Sequence, residues 1–120
     1  MFGRLKIVVP ILLVLQLASA MADEKDLVDK KTNELTPRGL ILQLIALAQV
    51  IEMQCNIKGQ IKAAVAKADR AGIAINLNDK EDFADELFFA SQILAQVKKT
   101  GADKWCKEKG EPTVQFLSKP

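Results

Sequence analysis

The sequence contains no histidine and no tyrosine among its 120 residues, and it has only one tryptophan, two cysteines and four prolines. Without histidine, Ser-His-Asp and Cys-His catalytic sites lack their general base. His-ligated zinc sites and ordinary His-ligated haem are excluded for the same reason. Hydrophobic residues make up 49% and charged residues 27% of the chain, a composition typical of one small globular domain.

The first 20 residues have the pattern of a secretory signal peptide. A basic start with Arg4 and Lys6 precedes an apolar run, and residues 18–20 fit the small-x-small cleavage pattern. The apolar run is shorter than the roughly 20 residues that a spanning helix needs. We therefore expect residues 1–20 to be cleaved after Ala20, leaving an exported protein, periplasmic or secreted, without a stable membrane span.

Cleavage would also remove the excess of positive charge. Loss of Arg4 and Lys6 balances the 17 basic against the 15 acidic residues of the full chain. A neutral protein has no global field that attracts nucleic acid or anionic lipid. The charge pattern therefore argues against nucleic acid as a partner.

The two cysteines, Cys55 and Cys106, both lie in the exported part of the chain. Because exported proteins meet oxidising conditions, we expect a disulfide between them. Closing a loop of about 50 residues stabilises a fold by about 4 kcal/mol in the chain-entropy model. An intermolecular bond in a homodimer is the alternative, and the absence of a Cys-x-x-Cys pair argues against a thioredoxin-like role.

The exported part divides into a polar N-terminal tail at residues 21–35, loose or a short frayed helix, and a helical domain at residues 36–120. Thr36 is a suitable N-cap and Pro37 a suitable first helical residue. The run Leu40–Met53 is apolar nearly all round and, although too short to span a bilayer, predicts a buried central helix. Part of its surface could instead form a dimer seam.

Two further helices are expected after the first. The second covers Asn56–Ala71 and ends at Gly72, a usual C-terminal residue. The third begins with Asn78 as N-cap and Glu81 as its reciprocal partner, and it ends in basic residues that suit the helix dipole. Its spacing predicts an inward stripe of Phe83, Leu87, Ala90, Leu94 and Val97.

A short last helix is expected at Asp103–Lys109, ended by Gly110 and Pro112. Apolar residues near the C-terminus, among them Phe116 and Leu117, should fold back on the core as a hook. The fold class predicted from the sequence is thus all-α: a small bundle of three main helices plus a short C-terminal helix, stapled by one disulfide.

The acidic stretch at residues 76–86 resembles a calcium loop only superficially. Lys80 interrupts it and the central glycine is missing, so helix capping explains the acids better than a metal site. Asp82, Asp85 and Glu86 are the only close carboxylates, and we expect them to be neighbours on an exposed helical face rather than across a cleft. The sequence therefore predicts no enzyme activity, no metal and no cofactor.

Glu52 and the glutamines of the first helix, Gln43 and Gln49, are polar groups among apolar neighbours. Buried polar groups usually find a partner within the fold, so we expect them to reach the bundle edge or bond a neighbouring helix. Contact with a ligand or a partner is the alternative.

Four residues are the sequence's candidates for partner binding. Phe88, Phe89 and Ile93 give the third helix more apolar surface than one packing face needs. Trp105 is expected to pack against the disulfide, but if exposed it would be a good binding anchor. This surplus of apolar surface points to a protein partner or to self-association as a homodimer.

The arrangement resembles a loose group of small exported two-cysteine helical proteins of alphaproteobacteria. The matching features are Cys55 closing an apolar helix, Cys106 late in the chain, and Gly110 followed by the apolar pair Phe116 and Leu117. The resemblance covers most of residues 36–117. Because that group is largely uncharacterised, the resemblance implies a fold and a compartment but no activity.

The function expected from the sequence is therefore a non-catalytic, exported, protein-binding protein, with inhibitor, immunity and effector roles all open. A periplasmic stress chaperone that exposes apolar surface in acid is one alternative. A carrier with an apolar cavity inside the bundle is the other.

Overall fold

The computed structural model describes residues 26–120, and these are predominantly α-helical. Between residues 26 and 120 the structure has no named strand, only an isolated antiparallel bridge between Val28 and Leu35. The all-α prediction is confirmed, whereas the predicted signal peptide lies outside the described residues. The elements are α1 (Pro37–Cys55), α2 (Gln60–Arg70), α3 (Lys80–Thr100), α4 (Ala102–Trp105), a π-helical turn (Cys106–Gly110) and α5 (Glu111–Leu117).

The described residues fall into two compact units, with the boundary between Gly39 and Leu40. In the first unit, residues 26–35 of the expected N-terminal tail form a hydrogen-bonded turn. They are neither a helix nor a loose segment. Asp29 N donates to Glu34 O at 2.8 Å, and Asn33 N donates to Asp29 O at 2.7 Å. Asn33 sits in the left-handed region with φ 62°, which asparagine tolerates better than most residues.

The start of α1 follows the sequence prediction. Thr36 Oγ1 accepts a hydrogen bond from Gly39 N at 3.0 Å, so Thr36 is the N-cap and Pro37 the first helical residue. Its hydroxyl also donates to Asp26 O at 2.6 Å. A Cβ on Gly39 would collide with the carbonyl oxygen of Leu27, which explains glycine at this position.

From Leu40 onward, helix α1 is the central element of the second unit, as predicted. It has 19 residues. Judged by length and composition alone, it is the one helix among residues 26–120 that could cross a membrane. The helix is therefore longer than the apolar run Leu40–Met53 on which the prediction was based. The buried core helix of a globular protein has the same apolar composition as a membrane span. Side chains of α1 with no exposed surface are Leu42, Ile45, Ala46, Ala48, Val50 and Ile51.

Helix α2 begins four residues later than predicted. Asn56 has φ 59° and Gly59 has φ 84°, so the backbone leaves the right-handed helical region twice before Gln60. At the other end the predicted stop is confirmed, since Gly72 has φ 81°. The connector before α3 contains the buried Ile75 and is not a strand.

The N-cap of α3 is Asp79 and not the predicted Asn78. Asp79 Oδ2 accepts from Asp82 N at 3.0 Å. Asn78 lies one residue too early, in a local turn where its N–H donates to Asn76 Oδ1 at 2.9 Å. The predicted basic C-terminal turn is present, with Lys98 and Lys99.

The predicted helix end at Gly110 is wrong. The chain widens into the π-helical turn, where Glu111 N donates to Cys106 O, and then continues as α5. Pro112 falls in the first turn of α5, directly after the π-helical turn. The expected hook is therefore a helix.

Helix α5 packs against α2. Leu117 is buried, as expected of the hook, whereas Phe116 is exposed. Lys67 Nζ lies 4.8 Å from the centre of the Phe116 ring and donates to Lys119 O at 2.7 Å. These contacts hold the C-terminal segment on the bundle.

Candidate functional site

The Cys55–Cys106 disulfide is present, as predicted, with the Cα atoms 5.7 Å apart. It joins the last residue of α1 to the first residue of the π-helical turn. A Cβ on Gly110 would lie 3.3 Å from Cys55 Sγ, so glycine lets this turn pack directly on the bond. The disulfide is consistent with an oxidising, exported environment.

Of the four residues proposed from the sequence for partner binding, only Phe88 is exposed. Phe89, Ile93 and Trp105 are buried in the core and are therefore not accessible to a partner in this structure. Phe89 and Ile93 lie on the side of α3 that also carries the buried Glu86. The sequence of α3 contains more apolar residues than one buried face needs, but it does not indicate which face of the helix packs on the core.

Trp105 is buried in the core and directly precedes Cys106 of the disulfide in the chain. Its indole Nε1 is buried and has no acceptor among residues 26–120. An unmet buried donor costs about 1–3 kcal/mol. The large apolar area of the ring outweighs that cost.

The exposed side of α3 carries a different set of large apolar residues. Phe83 is 44% exposed, Leu87 40% and Phe88 38%. Phe83 and Leu87 were expected to point inward, and the structure turns them outward. The Phe88 ring stands edge-on to the buried Phe89, with ring centres 5.5 Å apart. We call the set Phe83, Ala84, Leu87, Phe88, Ser91, Leu94 and Ala95 the outer face of α3.

A groove lies beside the C-terminal half of this outer face, between α3 and the end of α1. Its volume is about 420 Å³, and its walls are mostly apolar. Ser91 Oγ donates to Phe88 O at 2.9 Å, so this hydroxyl is already satisfied within α3. The lining residues are Gln54, Ser91, Leu94, Ala95, Val97 and Lys98.

The charges at the two ends of α3 are opposite. Asp79 and Glu81 are exposed at its start, and Lys98 and Lys99 are exposed at its end. This order complements the helix dipole. It also gives the outer face an acidic end and a basic end.

The three carboxylates considered for acid–base chemistry do not share an exposed face. Glu86 and Asp82 are buried, contrary to the sequence expectation, and Asp85 is half-buried. Asp82 Oδ2 accepts from Asn76 N at 2.9 Å, which ties the preceding loop to α3. Two of the three carboxylates are thus structural groups.

Glu86 is only 1% exposed and faces α1. With the Gln49 amide nitrogen turned toward the carboxylate, Nε2 donates to Glu86 Oε1 at 3.0 Å and also contacts Oε2. Burial raises the pKa of Glu86 above its ordinary value of 4.5, because the charged form loses its hydration. Gln49 therefore bonds a neighbouring helix, as the sequence led us to expect.

Glu52 also bonds a neighbouring helix. Its Oε2 accepts a hydrogen bond from Ile61 N at 2.8 Å. Gly59, which precedes α2, makes no side-chain cap, so a carboxylate from α1 satisfies one N–H at the start of α2. This contact fixes α2 on α1 and leaves Glu52 a structural role.

Within residues 26–120, no three His, Cys, Asp or Glu side chains lie close enough together to hold a metal ion. The outer face of α3 carries three of the large exposed apolar side chains of this part of the chain and borders the groove. Comparison with protein-family models, curated proteins and solved structures found no match to this chain.

Proposed function

We propose that this chain is an exported, non-catalytic protein-binding protein whose contact surface is the outer face of α3. The observation that carries the proposal is the cluster of three large apolar side chains, Phe83, Leu87 and Phe88, all exposed on one helix. Contiguous exposed apolar surface commonly marks a protein interaction site. Aromatic side chains are also enriched in such interfaces.

Export is supported by two independent features of the chain. Residues 1–20 have the pattern of a signal peptide, and the Cys55–Cys106 disulfide suits an oxidising compartment. The resemblance to small exported alphaproteobacterial proteins favours the same compartment. We therefore place the partner in the periplasm or outside the cell.

The acid-activated chaperone has less support. Protonation in acid removes the charge of the buried Glu86, and a neutral carboxyl is easier to keep inside the fold. This group thus favours the closed bundle at low pH. The carrier role is weaker as well, since the groove beside α3 is open and not enclosed.

The test is site-specific cross-linking in the producing organism, with the protein exported by its own signal. A photoreactive amino acid at Leu87 should give an adduct with another protein chain. The same group at Leu40, an exposed apolar residue on α1, is the matched control and should give none. The Phe83→Asp variant should reduce the Leu87 adduct. Equal labelling from Leu87 and Leu40 would refute the proposed surface.

A further inference from the structure

We propose that the outer face of α3 binds a second copy of this chain, with the two α3 helices antiparallel about a two-fold axis near Ser91. This inference rests on the proposed function and names the partner of that surface. A two-fold dimer requires one surface that is complementary to itself. The outer face meets this requirement in shape and in charge.

The shape is complementary because projections and groove lie on opposite halves of α3. Phe83 and Leu87 project from the N-terminal half, and the groove borders the C-terminal half at Leu94 and Ala95. Antiparallel pairing places each N-terminal half over the C-terminal half of the other copy. An apolar cavity of ~150 Å³ holds a benzene ring, so a groove of about 420 Å³ accommodates such side chains.

The centre of the proposed contact is small and already satisfied in hydrogen bonding. Ser91 and Ala95 are short side chains, which allow two helices to approach closely. The Ser91 hydroxyl donates to Phe88 O at 2.9 Å within its own helix. Covering this position with a second copy therefore leaves no orphaned donor.

The charges also specify the antiparallel orientation. Glu81 and Lys99 are about five helical turns apart at 3.6 residues per turn, so they lie on the same edge of α3. In an antiparallel pair this edge faces the same edge of the second copy. Glu81 of each chain then lies opposite Lys99 of the other, whereas a parallel pair would bring the two acidic ends together and the two basic ends together.

The contact is small, since it involves one helix from each copy and its flanking groove. Standard stable interfaces bury about 1,600 Å², and a single helix pair falls below that. We therefore expect association in the micromolar range that depends on protein concentration and weakens at high salt.

The test is sedimentation equilibrium of the oxidised mature protein over micromolar to millimolar concentrations. The proposal predicts a monomer–dimer equilibrium. Leu87→Glu and Leu94→Glu should each weaken it by at least about tenfold, because each places a charge in the apolar contact. Leu40→Glu, on an exposed apolar residue outside the face, is the matched control and should leave the equilibrium unchanged.

The orientation has its own test in a charge swap. Glu81→Lys and Lys99→Glu should each weaken the dimer roughly two- to thirtyfold, since two symmetric pairs are reversed. The double variant carrying both changes should restore the wild-type equilibrium. Circular dichroism of each variant would establish that the helices are retained.

Three results would overturn the inference. They are a monomer at every concentration, a dimer that tolerates both glutamate substitutions, and a charge swap that fails to restore association. If the protein is monomeric while Leu87 cross-links to a different protein in the cell, self-association is refuted and the proposed function stands. If the protein is monomeric and Leu87 gives no adduct, both fail.

Discussion

Glu86 is a carboxyl group held almost wholly out of water, with the Gln49 amide as its hydrogen-bond donor. Because burial raises its pKa in the folded protein, the folded form binds this proton more tightly than the unfolded form. The stabilisation from the neutral carboxyl is complete below the ordinary pKa of 4.5 and is lost as pH rises through the folded-state pKa. Above that pH the burial of this carboxyl therefore opposes folding.

Glu86→Gln should raise the thermal unfolding midpoint at about pH 7, because the amide keeps a hydrogen-bonding group but carries no charge. The difference from wild type should shrink as the pH falls toward about 4, where the carboxyl is neutral. Glu108→Gln, at an exposed position, is the control and should show no such convergence. A Glu86→Gln protein that is less stable than wild type at neutral pH would contradict this account.

Glu52 illustrates how one side chain can cap a helix to which it does not belong. Glu52→Ala should lower the free energy of unfolding by about 1 kcal/mol, the usual value of a lost N-terminal cap. Glu52→Gln retains an oxygen that can accept from Ile61 N, so it should cost less. Urea denaturation of the two variants measures the difference. Equal losses would mean that the charge, and not the hydrogen bond, stabilises the start of α2.

At the scale of the elements, α1, α2 and α3 each begin where a side chain accepts a hydrogen bond from a free N–H of the first turn. The caps of α1 and α3 are local: the sequence located the α1 cap at Thr36 and placed the α3 cap one residue before the observed Asp79. The π-helical turn is different, because no short sequence motif predicts it. Gly110 is in a right-handed helical conformation, packed on Cys55, and the helix continues through it.

The position of the α3 cap is testable with two adjacent alanine substitutions. Asp79→Ala should cost about 1 kcal/mol of stability, because its carboxylate accepts from Asp82 N. Asn78→Ala, the matched control, should cost less, since the structure assigns the cap to Asp79. Thermal unfolding followed by circular dichroism measures both. A larger loss of stability in Asn78→Ala than in Asp79→Ala would instead place the cap at Asn78, as predicted from the sequence.

At the scale of the whole molecule, the disulfide is the covalent link between distant parts of the second unit. It joins residues that are 51 positions apart in the sequence and closes α1 against the π-helical turn. The core of this unit contains few aromatic rings, with Phe89 and Trp105 buried. A small domain of this kind relies on such a staple.

Replacing both cysteines by alanine should lower the free energy of unfolding by about 4 kcal/mol, since the unfolded chain regains the entropy of an open loop. Urea denaturation of the double variant and of the oxidised wild type gives the difference. Reductant should destabilise the wild type by a similar amount and leave the double variant unchanged. If the stability of the wild-type protein did not change although the reductant reached the disulfide, the disulfide would not be a stabilising cross-link.

Several features follow from the sequence by itself. The all-α class, the Thr36 cap, the stop at Gly72 and the Cys55–Cys106 pair depend on local spacing or on there being only two cysteines. Local signals of this kind act within one or two helical turns. These features can therefore be predicted without knowing which helices pack against each other.

The direction in which α3 faces was decided only by the tertiary structure. Apolar residues surround much of this helix, so its periodicity allows more than one buried side. Contact with α1 selects the side carrying Glu86 and leaves Phe83 and Leu87 in solvent. The candidate site could not be read from the sequence for this reason: an exposed face is defined by what the rest of the fold leaves uncovered.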